Sequence, residues 1–197
     1  MLTSMPIYMY DTFEDYASPL VNSTTSSKWN YEARTTGNPG YTPSATIDNN
    51  GRLHINVRAT NNNPATVDAK VRTTQSFANM VCEFTIENHT FGNGSGGSTA
   101  WVKVTDGTTE VILDTLDGAG GGHTIYYTRH YRLTFTSNSV TVKKCYLDSS
   151  GEHTTTNTYN LSALSNFYIL FHANASIGNA QVENDIWVYY ITNNQFI

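Results

Sequence analysis

Two-residue alternation on both sides of a glycine-rich loop is the feature that most constrains what this chain can become. In 78–87, Met80, Cys82, Phe84 and Ile86 fall on one side and Val81, Glu83, Thr85 and Glu87 on the other, the period of a strand with one face in a core. Gly92, Gly94, Gly96 and Gly97 then supply a flexible connection. Asp106-Gly107 follows, between Trp101–Thr105 and Thr108–Leu113. It reads as a two-residue hairpin turn, because a type I′ turn needs positive φ at both central positions. Counting outward from that turn sets Lys103 opposite Glu110, Val102 opposite Val111, Trp101 opposite Ile112 and Ala100 opposite Leu113. Ala100, Val102, Val104, Val111 and Leu113 then form a core face. Trp101, Lys103, Glu110, Ile112 and Asp114 form a mixed surface with one large aromatic.

The rest of the chain repeats this grammar. Leu53–Val57, Val67–Thr73, Tyr131–Phe135, Tyr168–Ala173 and Ile186–Ile191 each read as a strand, separated by turns rich in Gly, Asn, Asp and Pro. Arg34–Ala45, with Gly37, Pro39, Gly40 and Pro43, reads as irregular. In Val140–Leu147 the alternation slips at Lys143-Lys144, the mark of a bulge. No stretch of helical length shows a 3.6-residue period. Many short strands at regular spacing predict an antiparallel two-sheet sandwich, one domain over residues 1–197.

Composition narrows the partners. Charged residues make up 14% and the net charge is −5, so there is no basic field for a phosphate backbone and nucleic acid is not an expected partner. No segment has the length of an apolar membrane-spanning helix, and the sequence opens on Met-Leu-Thr-Ser-Met-Pro without a basic region or an apolar run of signal-peptide length. Thirteen Tyr and three Trp exceed what a minimal core needs, leaving aromatics for surfaces. The expectation is a protein of a virion or extracellular surface, either a mature fragment or a virion component released by lysis rather than by export. Cys82 and Cys145 read as two buried free thiols, and six scattered histidines as surface or hydrogen-bonded strand residues without metal-site spacing.

The ordered set Asp11-x-Phe13-x-Asp15, Trp29, Asn50-Gly51-Arg52-Leu53-His54-Ile55, Val71-Arg72-Thr73-Thr74, Phe77–Glu87 and Asn184-Asp185-Ile186-Trp187-Val188 resembles the concanavalin A-like lectin/glucanase superfamily of jelly-roll sandwiches, which includes laminin-G-like modules and family 16 glycosidases. The resemblance implies a jelly roll whose first and last strands are neighbours, bringing Asp11 near Asp185, and a structural Ca²⁺ held by Asp11, Asp15 and Asp185. Such a site needs about six to eight oxygens. Glycosidases of this fold carry Glu-x-Asp-x-Glu, because retaining hydrolysis needs two carboxyl groups about 5–5.5 Å apart. Here the nearest string is Glu83-Phe84-Thr85-Ile86-Glu87, without the central Asp and with its glutamates roughly 13 Å apart along a straight strand. The strand corresponding to the catalytic one reads Glu110-Val111-Ile112-Leu113-Asp114. The implied protein is therefore not an enzyme.

The resulting expectation is a recognition module that binds a glycan or cell-surface polysaccharide. Trp101 stacks on the sugar, and Lys103, Glu110, Asp114 and Glu83 orient its hydroxyls. Trp29 and Trp187 are expected in the core. Tyr168, Leu170 and His172 fit either the same binding face or the inner layer. The rival, from another class, is a structural virion component such as a capsid decoration, head fibre or tail protein, forming homo-oligomers or docking on capsid and tail proteins.

Overall fold

The computed structural model describes residues 8–11, 13, 28–60, 64–92, 96–116, 124–148, 150–177 and 181–195. Among them are thirteen strands and no helix: β1 (Tyr8–Asp11), β2 (Trp29–Thr36), β3 (Ser44–Ile47), β4 (Leu53–Ala59), β5 (Ala65–Thr73), β6 (Met80–Gly92), β7 (Gly96–Thr105), β8 (Glu110–Leu116), β9 (Thr124–Phe135), β10 (Ser139–Asp148), β11 (Gly151–Asn160), β12 (Tyr168–Ile177) and β13 (Val182–Gln195). An eight-stranded antiparallel sheet runs β11-β10-β9-β6-β13-β4-β3, with β1 also on β13. A five-stranded antiparallel sheet runs β2-β5-β12-β7-β8. Most spatial neighbours are distant in sequence, the winding of a jelly roll.

Alternation decides which side of each strand enters the core. Leu53, Ile55, Val57 and Ala59 of β4, Val67, Ala69 and Val71 of β5, and Ala100, Val102 and Val104 of β7 are all buried between the sheets. Small residues on the five-stranded sheet leave room for rings. Phe13 packs on Trp29 at 5.5 Å, Trp29 on Phe171 at 6.3 Å, Phe171 edge-on to Phe84 at 5.3 Å, and Phe84 on Tyr131 at 5.1 Å, centroid to centroid. Such pairs add about 0.5–1.5 kcal/mol each beyond the area they bury. Asp11 pins the start of this row. Its Oδ1 accepts from the Phe13 backbone N–H at 2.9 Å, fixing Phe13 at φ 60°, and its Oδ2 accepts from Trp29 Nε1.

The central hairpin differs from its sequence reading. Thr105 faces Glu110, Val104 faces Val111 and Lys103 faces Ile112, so the register is two residues longer than a two-residue turn allows. The cause is Asp106. Its Oδ1 accepts from the N–H groups of Thr108 and Thr109, both at 2.9 Å, and from the Thr108 hydroxyl, while Gly107 takes φ 104°. A side-chain-closed four-residue loop, Asp106–Thr109, replaces the type I′ turn. A bulge then falls between the pairs Lys103–Ile112 and Val102–Asp114, so that Leu113 is the extra residue.

That bulge turns Asp114 away from the Trp101 surface and into the gap between the sheets. Its carboxylate accepts from Arg129 Nη1 at 2.8 Å and from the Tyr131 hydroxyl at 2.6 Å, both on β9, and from Lys144 Nζ at 2.9 Å on β10. The expected bulge at Lys143-Lys144 is absent. β10 keeps regular register with both neighbours, and Lys144 points inward because Asp114 waits there. Trp187 departs from expectation too. It lies half-buried on the outer face of the eight-stranded sheet, stacked on His54 at 4.7 Å. Trp29 is fully buried, as is Cys82, whereas Cys145 is half-buried. β2 runs to Thr36 and β3 begins at Ser44, so strands enter both ends of the stretch Arg34–Ala45 read as irregular, and β11 adds a strand outside the sequence reading.

Asp114 pairs with both Arg129 and Lys144, at 2.8 and 2.9 Å. Asp114→Ala is therefore expected to lower the unfolding free energy by about 3 kcal/mol or more, the usual consequence of leaving buried cations without their anion. A denaturant melt showing a loss below about 1 kcal/mol would contradict the lock.

Candidate functional site

Outward-facing residues of the five-stranded sheet fall in rows across the strands. Glu32, Lys70, His172 and Trp101 make one row; Asn30, Arg72, Leu170, Lys103 and Ile112 make the next; Tyr168, Thr105 and Glu110 make the third. β5 and β8 are separated by three interstrand intervals, roughly 14 Å in a flat sheet. Yet Lys70 Nζ on β5 reaches Glu110 Oε1 on β8 at 2.6 Å. The sheet curls, and this face is concave.

Curling buries Lys103, whose residue is only 7% exposed although it points away from the core. A buried ammonium needs partners, and it has three. Nζ donates to Glu110 Oε2 at 2.7 Å and to His172 Nδ1 at 2.9 Å, and it lies 4.7 Å from the Trp101 ring centroid. An ammonium has no acceptor to offer, so His172 Nδ1 must carry the lone pair and Nε2 the proton. Nε2 donates to Asp68 Oδ1 at 3.1 Å, and Asn174 Nδ2 donates to the same oxygen at 2.8 Å. A continuous chain Lys70–Glu110–Lys103–His172–Asp68–Asn174 thus crosses four strands. Trp101 leans on its middle, 4.7 Å from His172 between ring centroids.

These contacts set the protonation states. Burial first, and then the Lys103 charge, push His172 down to about 4, against the opposing pull of Asp68. Burial favours the neutral form of Glu110, but the hydrogen bonds and charges of Lys103 and Lys70 outweigh it and hold the carboxyl at about 2. Near neutral pH the face therefore presents a neutral imidazole of fixed tautomer, ionised carboxylates and two ammonium groups. Two adjoining hollows open over it, both lined by Glu32 and Lys70. One extends past Arg72, Thr105, Gly107 and Glu110, and the other, of about 340 Å³, past Arg34, Asp68 and His172.

Of the expected ligand residues, Trp101, Lys103 and Glu110 come together here. Asp114 does not, because the bulge at Leu113 sends it inward. Glu83 does not either: it lies on the outer face of the other sheet, paired with Arg132 at 3.0 Å. The expected calcium triad is not assembled among the described residues. Asp11 faces Ile191 and spends its carboxylate on Phe13 and Trp29. Asp185 lies six residues away along β13, roughly 20 Å at ~3.3 Å per residue, accepting from His54 Nε2 and Asn56 Nδ2, both at 2.7 Å. Asp15 falls outside the described residues. Among those described, no group of three or more His, Cys, Asp or Glu is disposed to hold a metal ion. The sequence reading missed Asp68 and Lys70, whose signal was the outward alternation Asp68-x-Lys70-x-Arg72 opposite a Val/Ala inner face.

Acid should dismantle this network in order. His172 sits at about 4 when folded, below its ordinary 6.5, and Glu110 at about 2, below its ordinary 4.5. In each case the unfolded chain takes up its proton first as the pH falls. Their contribution is whole above about pH 6.5 and is lost on acidification, through His172 between about 6.5 and 4 and through Glu110 between about 4.5 and 2. An NMR titration should place the His172 midpoint near 4 and find it moved up toward 6.5 in Lys103→Met. An ordinary midpoint in the unaltered protein would contradict the wiring.

No protein-family model matches the chain, and no curated protein matches it. Solved structures do match it, over nearly its whole length. One comes from work on endo-acting O-glycanases that prominent members of the human gut microbiota express to initiate mucin breakdown, with TM-score 0.53, 12% identity, and 95% of this chain and 98% of that one covered. Another is SCLam, a non-specific endo-β-1,3(4)-glucanase of family GH16, with TM-score 0.51, 12% identity and coverage of 98% and 93%. A third is Rv0315 of Mycobacterium tuberculosis, described as an immunostimulatory antigen and pseudo β-1,3-glucanase, with TM-score 0.51, 13% identity and coverage of 95% and 98%. Identities this low speak to fold, and the fold of this chain is the concanavalin A-like jelly-roll sandwich.

Proposed function

We propose that the protein is a non-catalytic glycan-recognition module whose site is the concave face around Trp101 and His172. The observation that carries this reading is the hydrogen-bonded chain from Lys70 to Asn174 beside a half-buried indole. It offers donors and acceptors whose directions are already fixed, next to a π-face suited to the apolar side of a sugar ring. Preorganised polar groups of this kind orient hydroxyls without losing their own freedom on binding. The fold supports the reading in so far as neighbours of the same architecture are described as glucanases and, in one case, as a pseudo-glucanase.

Hydrolysis fits the residues less well. A glycosidase needs one carboxyl group protonated enough to act as an acid. Glu110 is held ionised by two lysines, and the Asp68 Oδ1 atom already accepts from His172 and Asn174. Glu83 and Glu87 stand on the other sheet, paired with Arg132 and with Arg52 and Tyr189.

We further place this module on a virion or extracellular surface, in keeping with its aromatic-rich, sparsely charged composition. A structural role in an assembly is the second reading, favoured by β11. This ten-residue strand ends the order of its sheet and carries Thr154, Thr155, Thr156 and Thr158, with no Lys or Pro to blunt its edge.

A glycan-array screen with and without calcium tests the proposal. Binding is expected, weakened at least ~10-fold (about 1.4 kcal/mol) by Trp101→Ala in a variant whose circular dichroism shows the β fold retained. Absence of binding, together with a concentration-independent oligomer in light scattering, would overturn it in favour of the structural role.

A further inference from the structure

Two cations of the concave face, Arg34 and Arg72, stand outside the hydrogen-bonded chain, and Arg34 is exposed. Arg72, on β5, is half-buried, and its guanidinium lies 4.7 Å from the ring centroid of Tyr168. It also reaches the hairpin tip, where a Cβ built at Gly107 would stand 3.1 Å from Arg72 Nη1. Ring and hairpin tip both crowd the group. Nevertheless, among the described residues the guanidinium makes no ion pair and donates no hydrogen bond. Five N–H donors held in a rigid fork at the wall of a hollow, with no acceptor, are an arrangement made for one.

The surroundings select the sign of that acceptor. Arg34, Lys70, Arg72 and Lys103 face the cleft with Glu32, Asp68 and Glu110, while His172 is neutral near pH 7. That leaves one positive charge in excess on a chain whose net charge is −5. Of the two carboxylates lining the same hollow as Arg72, Glu110 is already neutralised by Lys70 and Lys103, and Glu32 makes no ion pair with Arg72 among the described residues. Hydroxyls alone do not call for a clamped guanidinium, whereas a planar or multi-oxygen anion matches its fork.

We infer that the ligand is an acidic oligosaccharide and that Arg72 receives its anionic group, a uronate carboxylate or a sulfate ester, while Trp101 takes a neighbouring ring. This rests on the glycan reading above and narrows it. Arg72 and Trp101 are two interstrand intervals apart, roughly 10 Å, so the ligand spans more than one sugar unit. Lys70, freed from no partner, serves as a field around the anion, and specificity falls to Arg72.

The test is calorimetric titration with matched pairs of oligosaccharides: an oligogalacturonate and its methyl ester, and a sulfated galactan oligomer and its desulfated form. The unaltered protein is expected to bind an acidic member at least ~10-fold more tightly than its neutral counterpart, with affinity that falls as salt rises. Preference within the first pair identifies a carboxylate, and within the second a sulfate. Arg72→Met should erase the preference, bringing the affinity for the acidic member down to that for its neutral counterpart. Arg72→Lys should keep only a salt-sensitive remnant, because a point charge cannot fork. Equal affinity for acidic and neutral members, or a preference that survives in Arg72→Met, would overturn the assignment and leave the glycan reading standing. Failure to bind any glycan would sink both.

Discussion

The arrangement of the concave face follows from one constraint, that the Lys103 ammonium is buried on the outer side of a sheet. Its strand position sends it outward, and the curl of the sheet closes over it, so its charge must be answered locally. Glu110 supplies the counter-charge from the next strand, and His172 supplies a lone pair from the strand on the other side. Everything downstream is a consequence. A lone pair at Nδ1 puts the proton on Nε2, Nε2 needs Asp68, and the imidazole stays neutral where an exposed one would begin to charge. Breaking such a set by removing one member is more damaging than its net contribution suggests, because the groups left behind are already out of water.

A second carboxylate plays the same part for the sandwich as a whole. Asp114 ties the edge of the five-stranded sheet to two strands of the other through Arg129, Tyr131 and Lys144. Burial and the Asp114 charge together push the Tyr131 hydroxyl well above its ordinary value, so it remains a donor. Asp11 closes the other end of the core, under Phe13 and Trp29. The aspartates that a strand-by-strand reading offers as ligands are thus mostly occupied in holding the fold. The groups left for a ligand lie on β5, β7 and β12, the middle of the curled sheet.

Much of the fold was legible because alternation is local. β4, β5, β6 and β7 bury the residues that their period nominates, and Trp29 is where its strand predicts. What misled was also local, but carried by side chains rather than by pattern. Asp106 captures two backbone N–H groups and lengthens its loop, and the bulge at Leu113 then exchanges the faces on which Asp114 was expected. The slip at Lys143-Lys144 has no bulge behind it; a charged residue points inward because a partner on another strand awaits it. Trp101, Lys103 and Glu110 could be found from their hairpin alone. Asp68 and Lys70 could not, and His172 fits either of two faces from its stretch alone, since their meeting depends on sheet order and curvature, which no single stretch encodes.

The account is tested most directly by titrating the isotope-labelled protein with a mixed pool of oligosaccharides while following its amide and indole signals. Shifts confined to the Trp101 indole and to outward residues of β5, β7 and β12 are the predicted result. Shifts centred instead on the other sheet, around Trp187 and His54, or a spectrum unmoved by any oligosaccharide, would contradict it.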